Sequence, residues 1–178
     1  MKIFDLLKFE EDLKLEKKTV VILRWMALFG QLGTIYIVHF FLNLELPLFY
    51  CTLTIFFGGL TNIFIQFNFK NNQLKNIEST ILLFYDVIQL SVLIYLTGGV
   101  TNPFIIFLIV PAIVSSTLLN LTSTIFLSFI TIISLILLTF NFFPLPHETG
   151  NLHFHVPDYY IYSIPISLVV VLVFLNYF

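Results

Sequence analysis

Apolar residues in this chain fall into six runs separated by short polar breaks, at about 20–42, 47–67, 79–97, 103–119, 122–143 and 160–178. Crossing about 30 Å of hydrocarbon takes roughly 20 residues at about 1.5 Å rise per residue, so each run is expected to be a transmembrane helix. The fourth run is the shortest, and the turns beside it are expected to sit partly in the interface. Residues 1–18 differ: Ile3, Leu6, Leu7 and Leu13 can share one helical stripe among charges of both signs, which predicts a short cytoplasmic or interfacial amphipathic segment. Its length and acidity, and the lack of a small-residue cleavage site after the apolar stretch, argue against a secretory signal. The expected architecture is all-α: a polytopic bundle of about six spans over residues 19–178.

Composition agrees. With 58% hydrophobic residues, 10% charged and a mean hydropathy of +0.99, the chain cannot present the polar surface of a water-soluble globule. Its eight basic residues, Lys2, Lys8, Lys14, Lys17, Lys18, Arg24, Lys70 and Lys75, all precede the third run. The N-terminus and the second connection are therefore expected to be cytoplasmic, and with six spans the C-terminus too. Glu45, Glu148 and Asp158 fall in the expected outer loops, which carry no lysine or arginine. The single cysteine, Cys51, lies within a run and can form no intramolecular disulfide.

The chain is organised around Thr97-Gly98-Gly99-Val100-Thr101-Asn102-Pro103-Phe104, an uncharged turn between two apolar runs, expected on the outer side. Gly98 and Gly99 can adopt positive φ and admit a group close to the backbone, and Pro103 suits the first turn of the next helix. By itself the turn is compatible with purely structural duties. Asp86 is the clear intramembrane acid, and such a residue costs roughly 2.5–3.5 kcal/mol at a helix centre, so it must face protein or water. Gln89 lies one turn along on the same face. The pair reads either as an interhelical hydrogen-bond lock or as a ligand- or proton-linked site. Asp86 precedes Gly98 by twelve residues, about 18 Å along a helix, so the two cannot hold one small head group.

Other polar positions read as packing. Thr54, Gly58 and Asn62, and Ser128, Thr131 and Ser134, recur at helical spacing and let backbones approach. Arg24 and Trp25, and Tyr159, Tyr160 and Tyr162, read as interfacial anchors. Pro111 and Pro165 are expected to kink their spans. The outer loop 144–158 holds His147, Glu148, His153, His155 and Asp158; a solvated loop is expected there, with no metal. No catalytic constellation, phosphate-binding glycine loop or basic nucleic-acid patch is present in the sequence.

At the turn the chain resembles the membrane sensor region of RegB/PrrB-type redox-sensing histidine kinases, which carry a GGxxNPF motif. Gly98, Gly99, Asn102, Pro103 and Phe104 match it. The likeness extends to Arg24-Trp25 with Gly30-Gln31, to Glu45-Leu46-Pro47, and to Tyr85-Asp86 with Gln89. It covers the chain from about residue 20 onward.

The resemblance implies a multi-pass protein of the bacterial inner membrane, with a homodimer expected. It also implies a ubiquinone-sensing domain that controls autophosphorylation of a downstream histidine and phosphotransfer to a response regulator. By that resemblance Gly98, Gly99, Asn102, Pro103 and Phe104 form the quinone site, and the quinone pool supplies the ligand. A quinone offers carbonyl acceptors and a quinol hydroxyl donors, so backbone N–H groups and the Asn102 amide could distinguish them, with Phe104 against the ring. No phosphoacceptor or nucleotide-binding region follows Phe178, so a truncated kinase is expected. The alternative is a self-contained small membrane protein, a transporter or an assembly partner of a respiratory complex, using Asp86 and Gln89.

Overall fold

The computed structural model describes residues 16–41, 44–68, 73–143 and 158–177. They form helix α1 (Lys17–Phe41), α2 (Leu48–Asn68) and α3 (Asn76–Leu96), then a 3-10 turn (Gly99–Thr101) and a 3-10 helix (Pro103–Ile109) that continues as α4 (Val110–Leu118). Helices α5 (Leu121–Phe140) and α6 (Asp158–Tyr177) complete the bundle. Among the described residues the one non-helical pairing is an isolated antiparallel bridge between Glu16 and Gln73. The protein is all-α.

Among the described residues four helices are long and apolar enough to cross a membrane: Lys17–Phe41, Leu48–Phe67, Asn76–Leu96 and Leu121–Phe140. Pro103–Leu118 and Ile161–Tyr177 are shorter apolar segments. Large apolar side chains cover the outside of the bundle, with Phe41 and Phe67 about 80% exposed. Such a surface is unstable in water and stable in hydrocarbon, which makes this a membrane protein. The amphipathic segment expected over residues 1–18 lies almost wholly outside the described residues, as do His147, Glu148, His153 and His155.

Local chemistry explains the element ends. The Glu78 carboxylate accepts the Lys75 N–H at 2.8 Å at the start of α3, and Asn120 caps α5 by accepting the Ser123 N–H at 3.1 Å. Pro103 opens the 3-10 helix, where its missing N–H leaves nothing unsatisfied. Pro111 stands at the second position of α4, where the 3-10 winding gives way to α-helix. The fourth apolar run is thus split into two helix types, and Pro111 marks the joint. Pro165 lies inside α6.

Two packing units emerge. Helices α3 to α6 share a core of Val87, Ile94, Leu108, Ala112, Leu135 and Leu172 with their neighbours. Small hydroxyls staple this unit: Thr80 donates to Ser123 at 2.7 Å, and Ser115 and Thr124 bond at 3.0 Å. Ser128, Thr131 and Ser134 are buried on α5. Helices α1 and α2 pack closely on each other, and α2 packs on α3. Asn62 on α2 donates to the Val21 carbonyl of α1 at 3.0 Å. The backbones of α1 and α3 nowhere come close.

The turn sits at the end of the α3–α6 unit. Gly98 has φ 105° and Gly99 φ 61°, the left-handed region reserved largely for glycine. Gly99 and Val100 are buried against α5 and α6. A Cβ on Gly99 would collide with the Phe142 side chain and lie 3.1 Å from the Leu138 carbonyl oxygen. The Phe143 N–H donates to the Tyr95 carbonyl at 2.9 Å, tying the end of α5 to the end of α3. Gly99→Ala is expected to destabilise the protein by about 2–4 kcal/mol, from the left-handed backbone and the steric conflict together. A denaturation midpoint in detergent equal to that of the native chain would contradict this packing.

Candidate ligand cavity between α1, α3 and α4

Because α2 holds α1 away from α3, a space is left between α1, α3 and α4. It is a cavity of about 790 Å³, running along α3 from Ser79 to Thr97 and reaching Asn102, Pro103 and Phe104. Eighteen residues separate Ser79 from Thr97, about 27 Å of helix. Its rim is open where Leu23, Phe104 and Phe107 stay partly exposed. We call the end near Lys17 and Lys75 the basic end and the opposite one the turn end.

Side chains alone bridge α1 to α3 across this cavity. The Arg24 guanidinium donates through Nε to Asp86 Oδ1 at 3.0 Å, and its Nη2 lies 2.8 Å from the same oxygen. Nη2 also donates to Thr61 Oγ1 at 3.1 Å, and the guanidinium carbon lies 5.7 Å from the centre of the Tyr85 ring. Arg24 is thus not the interfacial anchor that its position in the sequence suggests: its side chain is 7% exposed, against 23% for Asp86. A carboxylate in an apolar bundle recruits a counter-ion, and the one arginine of the chain lies at the right depth on α1.

One turn further on, Gln89 Nε2 donates to Gln31 Oε1 at 2.9 Å. Asp86 and Gln89 therefore both tie α3 to a neighbouring helix, each through its own partner on α1. Gly58 of α2 makes room for this second bridge. A Cβ there would lie 2.7 Å from a Leu28 methyl and 3.0 Å from Gln89 Nε2.

At the turn end the motif residues divide. Asn102 Nδ2 donates to Thr97 Oγ1 at 2.6 Å and to the Thr97 carbonyl at 3.2 Å, and Oδ1 accepts the Phe104 N–H at 2.9 Å. Both amide donors are engaged within the turn, so Asn102 holds the turn's shape. Asn102, Pro103 and Phe104 border the cavity, with Phe104 stacked on Phe107 at 5.9 Å and 38% exposed. Gly98 and Gly99 lie behind this wall rather than on it. The close approach that Gly99 permits is that of Phe142.

Two of the residues that line the cavity each carry a fully buried atom, turned away from its open space, with no hydrogen-bond partner among the described residues: Arg24 Nη1 and Ser79 Oγ. Sequence reasoning missed both, along with the pairing of Arg24 and Gln31 to the third span. Among the described residues no three His, Cys, Asp or Glu side chains converge as metal ligands.

Breaking the ion pair from one side leaves a charge facing hydrocarbon. Arg24→Leu is expected to cost about 3–5 kcal/mol, whereas Arg24→Leu combined with Asp86→Leu should return close to native stability. A double-mutant cycle by chemical denaturation in micelles measures this. Additive effects of the two substitutions would show that the pair does not couple the helices.

No family model matches the chain, and no solved structure matches it. Two curated proteins do, both sensor histidine kinases RegB of Cereibacter sphaeroides. The first is 31% identical over 160 residues, 89% of this chain and 34% of that protein. The second is 32% identical over 75 residues, 42% of this chain and 16% of that protein. The chain thus spans about a third of the length of the first curated relative. It is homologous to the N-terminal region of the RegB sensor histidine kinases.

Proposed function

We propose that this chain is the quinone-responsive membrane sensor region of a two-component histidine kinase. The observation that carries this reading is the cavity, bordered by the motif residues that the resemblance assigns to quinone binding. Asn102, Pro103 and Phe104 line its turn end, and Gly98 and Gly99 give that wall its shape. An apolar cleft open at its rim admits an isoprenoid quinone from the lipid without passage through water.

The same elements supply a response. Oxidised and reduced ligands shift an equilibrium only if they bind two arrangements of the helices with different affinity. The cavity lies between the two packing units, so its occupant touches both, and a change in their spacing is the available signal. In this reading the basic end is cytoplasmic and the turn end periplasmic, in the bacterial inner membrane. The sixth span, α6, leads toward the kinase portion, which acts as a homodimer and passes phosphate to a response regulator.

A short-chain ubiquinone should bind the chain saturably in nanodiscs. Phe104→Ala, which removes an aromatic wall, and Asn102→Ala, which releases the turn, should each weaken binding about tenfold or more. Undiminished binding by both variants would remove the turn from the site.

A further inference from the structure

The cavity wall contributed by the fourth apolar run has a period of three. Phe104, Phe107 and Val110 border the cavity and are 38%, 49% and 43% exposed, whereas Ile105, Leu108 and Pro111 are buried on the neighbouring ridge. That spacing follows from the 3-10 winding of Pro103–Ile109, in which side chains three residues apart eclipse. The Ile105 N–H donates to the Asn102 carbonyl and the Val110 N–H to the Phe107 carbonyl, the three-residue bonds of such a helix. In an α-helix Phe104 and Phe107 would stand about 60° apart around the axis, and Phe104 and Val110 about 120°. The two phenyl rings instead lie 5.9 Å apart and within 18° of parallel.

Past Pro111 the winding is α-helical, and Val114, four residues after Val110, continues the wall. The wall therefore runs from two aromatic rings at the turn end to two branched aliphatic side chains further along. That order matches a ligand made of a flat ring and a branched aliphatic chain. The side-chain donors that border the turn end are engaged within the turn. Asn102 donates to Thr97, the Thr97 hydroxyl to the Leu93 carbonyl at 2.8 Å, and the Thr101 hydroxyl to the Gly98 carbonyl at 2.7 Å. These residues thus present a ligand with aromatic surface rather than with free side-chain donors.

We propose that Phe107, which lies outside the GGxxNPF motif, is a ring-binding residue: the quinone ring lies against Phe104 and Phe107 together, and the isoprenoid chain runs along Val110 and Val114. This rests on the quinone reading of the cavity and adds the residue that makes its aromatic wall two rings wide. The 3-10 winding is what positions the second ring. Seven residues is a long run for that geometry, and Ile105 and Leu108, buried in the core of the α3–α6 unit, hold it in place.

The experiment uses the full chain in nanodiscs and a short-chain ubiquinone, with two readouts: equilibrium binding and quenching of tryptophan fluorescence. Phe107→Leu keeps an apolar side chain and removes the ring, whereas Phe107→Tyr keeps the ring. Ile106→Ala alters the adjacent residue, which is 52% exposed and stands outside the cavity wall. A reporter chain moves the single tryptophan into the site by combining Trp25→Phe with Phe107→Trp, so that a quinone ring in contact with it quenches its emission.

With native helicity in all variants, Phe107→Leu should weaken binding about three- to tenfold, while Phe107→Tyr and Ile106→Ala stay within about twofold of the native chain. The reporter should be quenched saturably over the same range of quinone as binding. Native-strength binding by Phe107→Leu would overturn the assignment, as would equal losses in Phe107→Leu and Phe107→Tyr, or in Phe107→Leu and Ile106→Ala. Quinone bound to the reporter chain without quenching would place the ring elsewhere and overturn it too. Each of these outcomes leaves the quinone reading standing. Absence of quinone binding to the native chain would sink that reading and the assignment of Phe107 together.

Discussion

The fold depends on how one carboxylate is accommodated in a bundle that has almost no other charge. Asp86 lies in the middle of α3 among apolar neighbours, and Arg24 is brought in from α1 to neutralise it. Thr61 and the face of Tyr85 complete the surroundings of the guanidinium. Because α1 and α3 do not approach through their backbones, this ion pair and the Gln31–Gln89 hydrogen bond are the polar links between them among the described residues. Helix α2 acts as the spacer, and Gly58 lets Leu28 and Gln89 meet against it. A tightly apposed pair of helices would have left no cavity; a pair held apart with nothing between them would have collapsed. Long polar side chains reaching across keep the gap open and define its middle.

At its other end the cavity is closed by a turn with two faces. Gly99 and Val100 point into the core of the α3–α6 unit, where the absent side chain of Gly99 is filled by Phe142. The next residues wall the cavity, braced by the hydrogen bonds of Asn102. The turn is thus rigidly fixed to one packing unit, while Arg24 belongs to the other. A ligand lying along α3 between them contacts both units at once, which is the geometry that a sensor working by helix displacement requires.

Much of this was legible in the sequence, and the reasons are physical. Hydrocarbon imposes length and apolarity on a span, so the helices and their breaks follow from composition along the chain. The two glycines with positive φ and the proline at a helix start follow from backbone sterics alone. Asp86 stood out because a buried acid is costly. What stayed hidden was every fact about which helix lies beside which. Arg24 sits where an anchor would sit, and nothing local distinguishes an arginine that reaches to the interface from one that turns inward to a carboxylate 62 residues away. The duty of Gly99 was hidden for the same reason, since the group it admits is 43 residues further on. The switch from 3-10 to α-helix at Pro111 also went unseen, because a proline at that position suits either a kink or a joint.

The central claim is that the occupant of the cavity sets the separation of α1 from α3. It is tested most directly by placing spin labels on the exposed positions Phe41 of α1 and Tyr95 of α3 and measuring the distance distribution in nanodiscs. Spectra would be taken without quinone, with a short-chain ubiquinone and with its quinol. The account predicts a narrow distribution that shifts on binding and differs between the oxidised and reduced ligands. One unchanged distribution under all three conditions, with ligand shown to be bound, would contradict it.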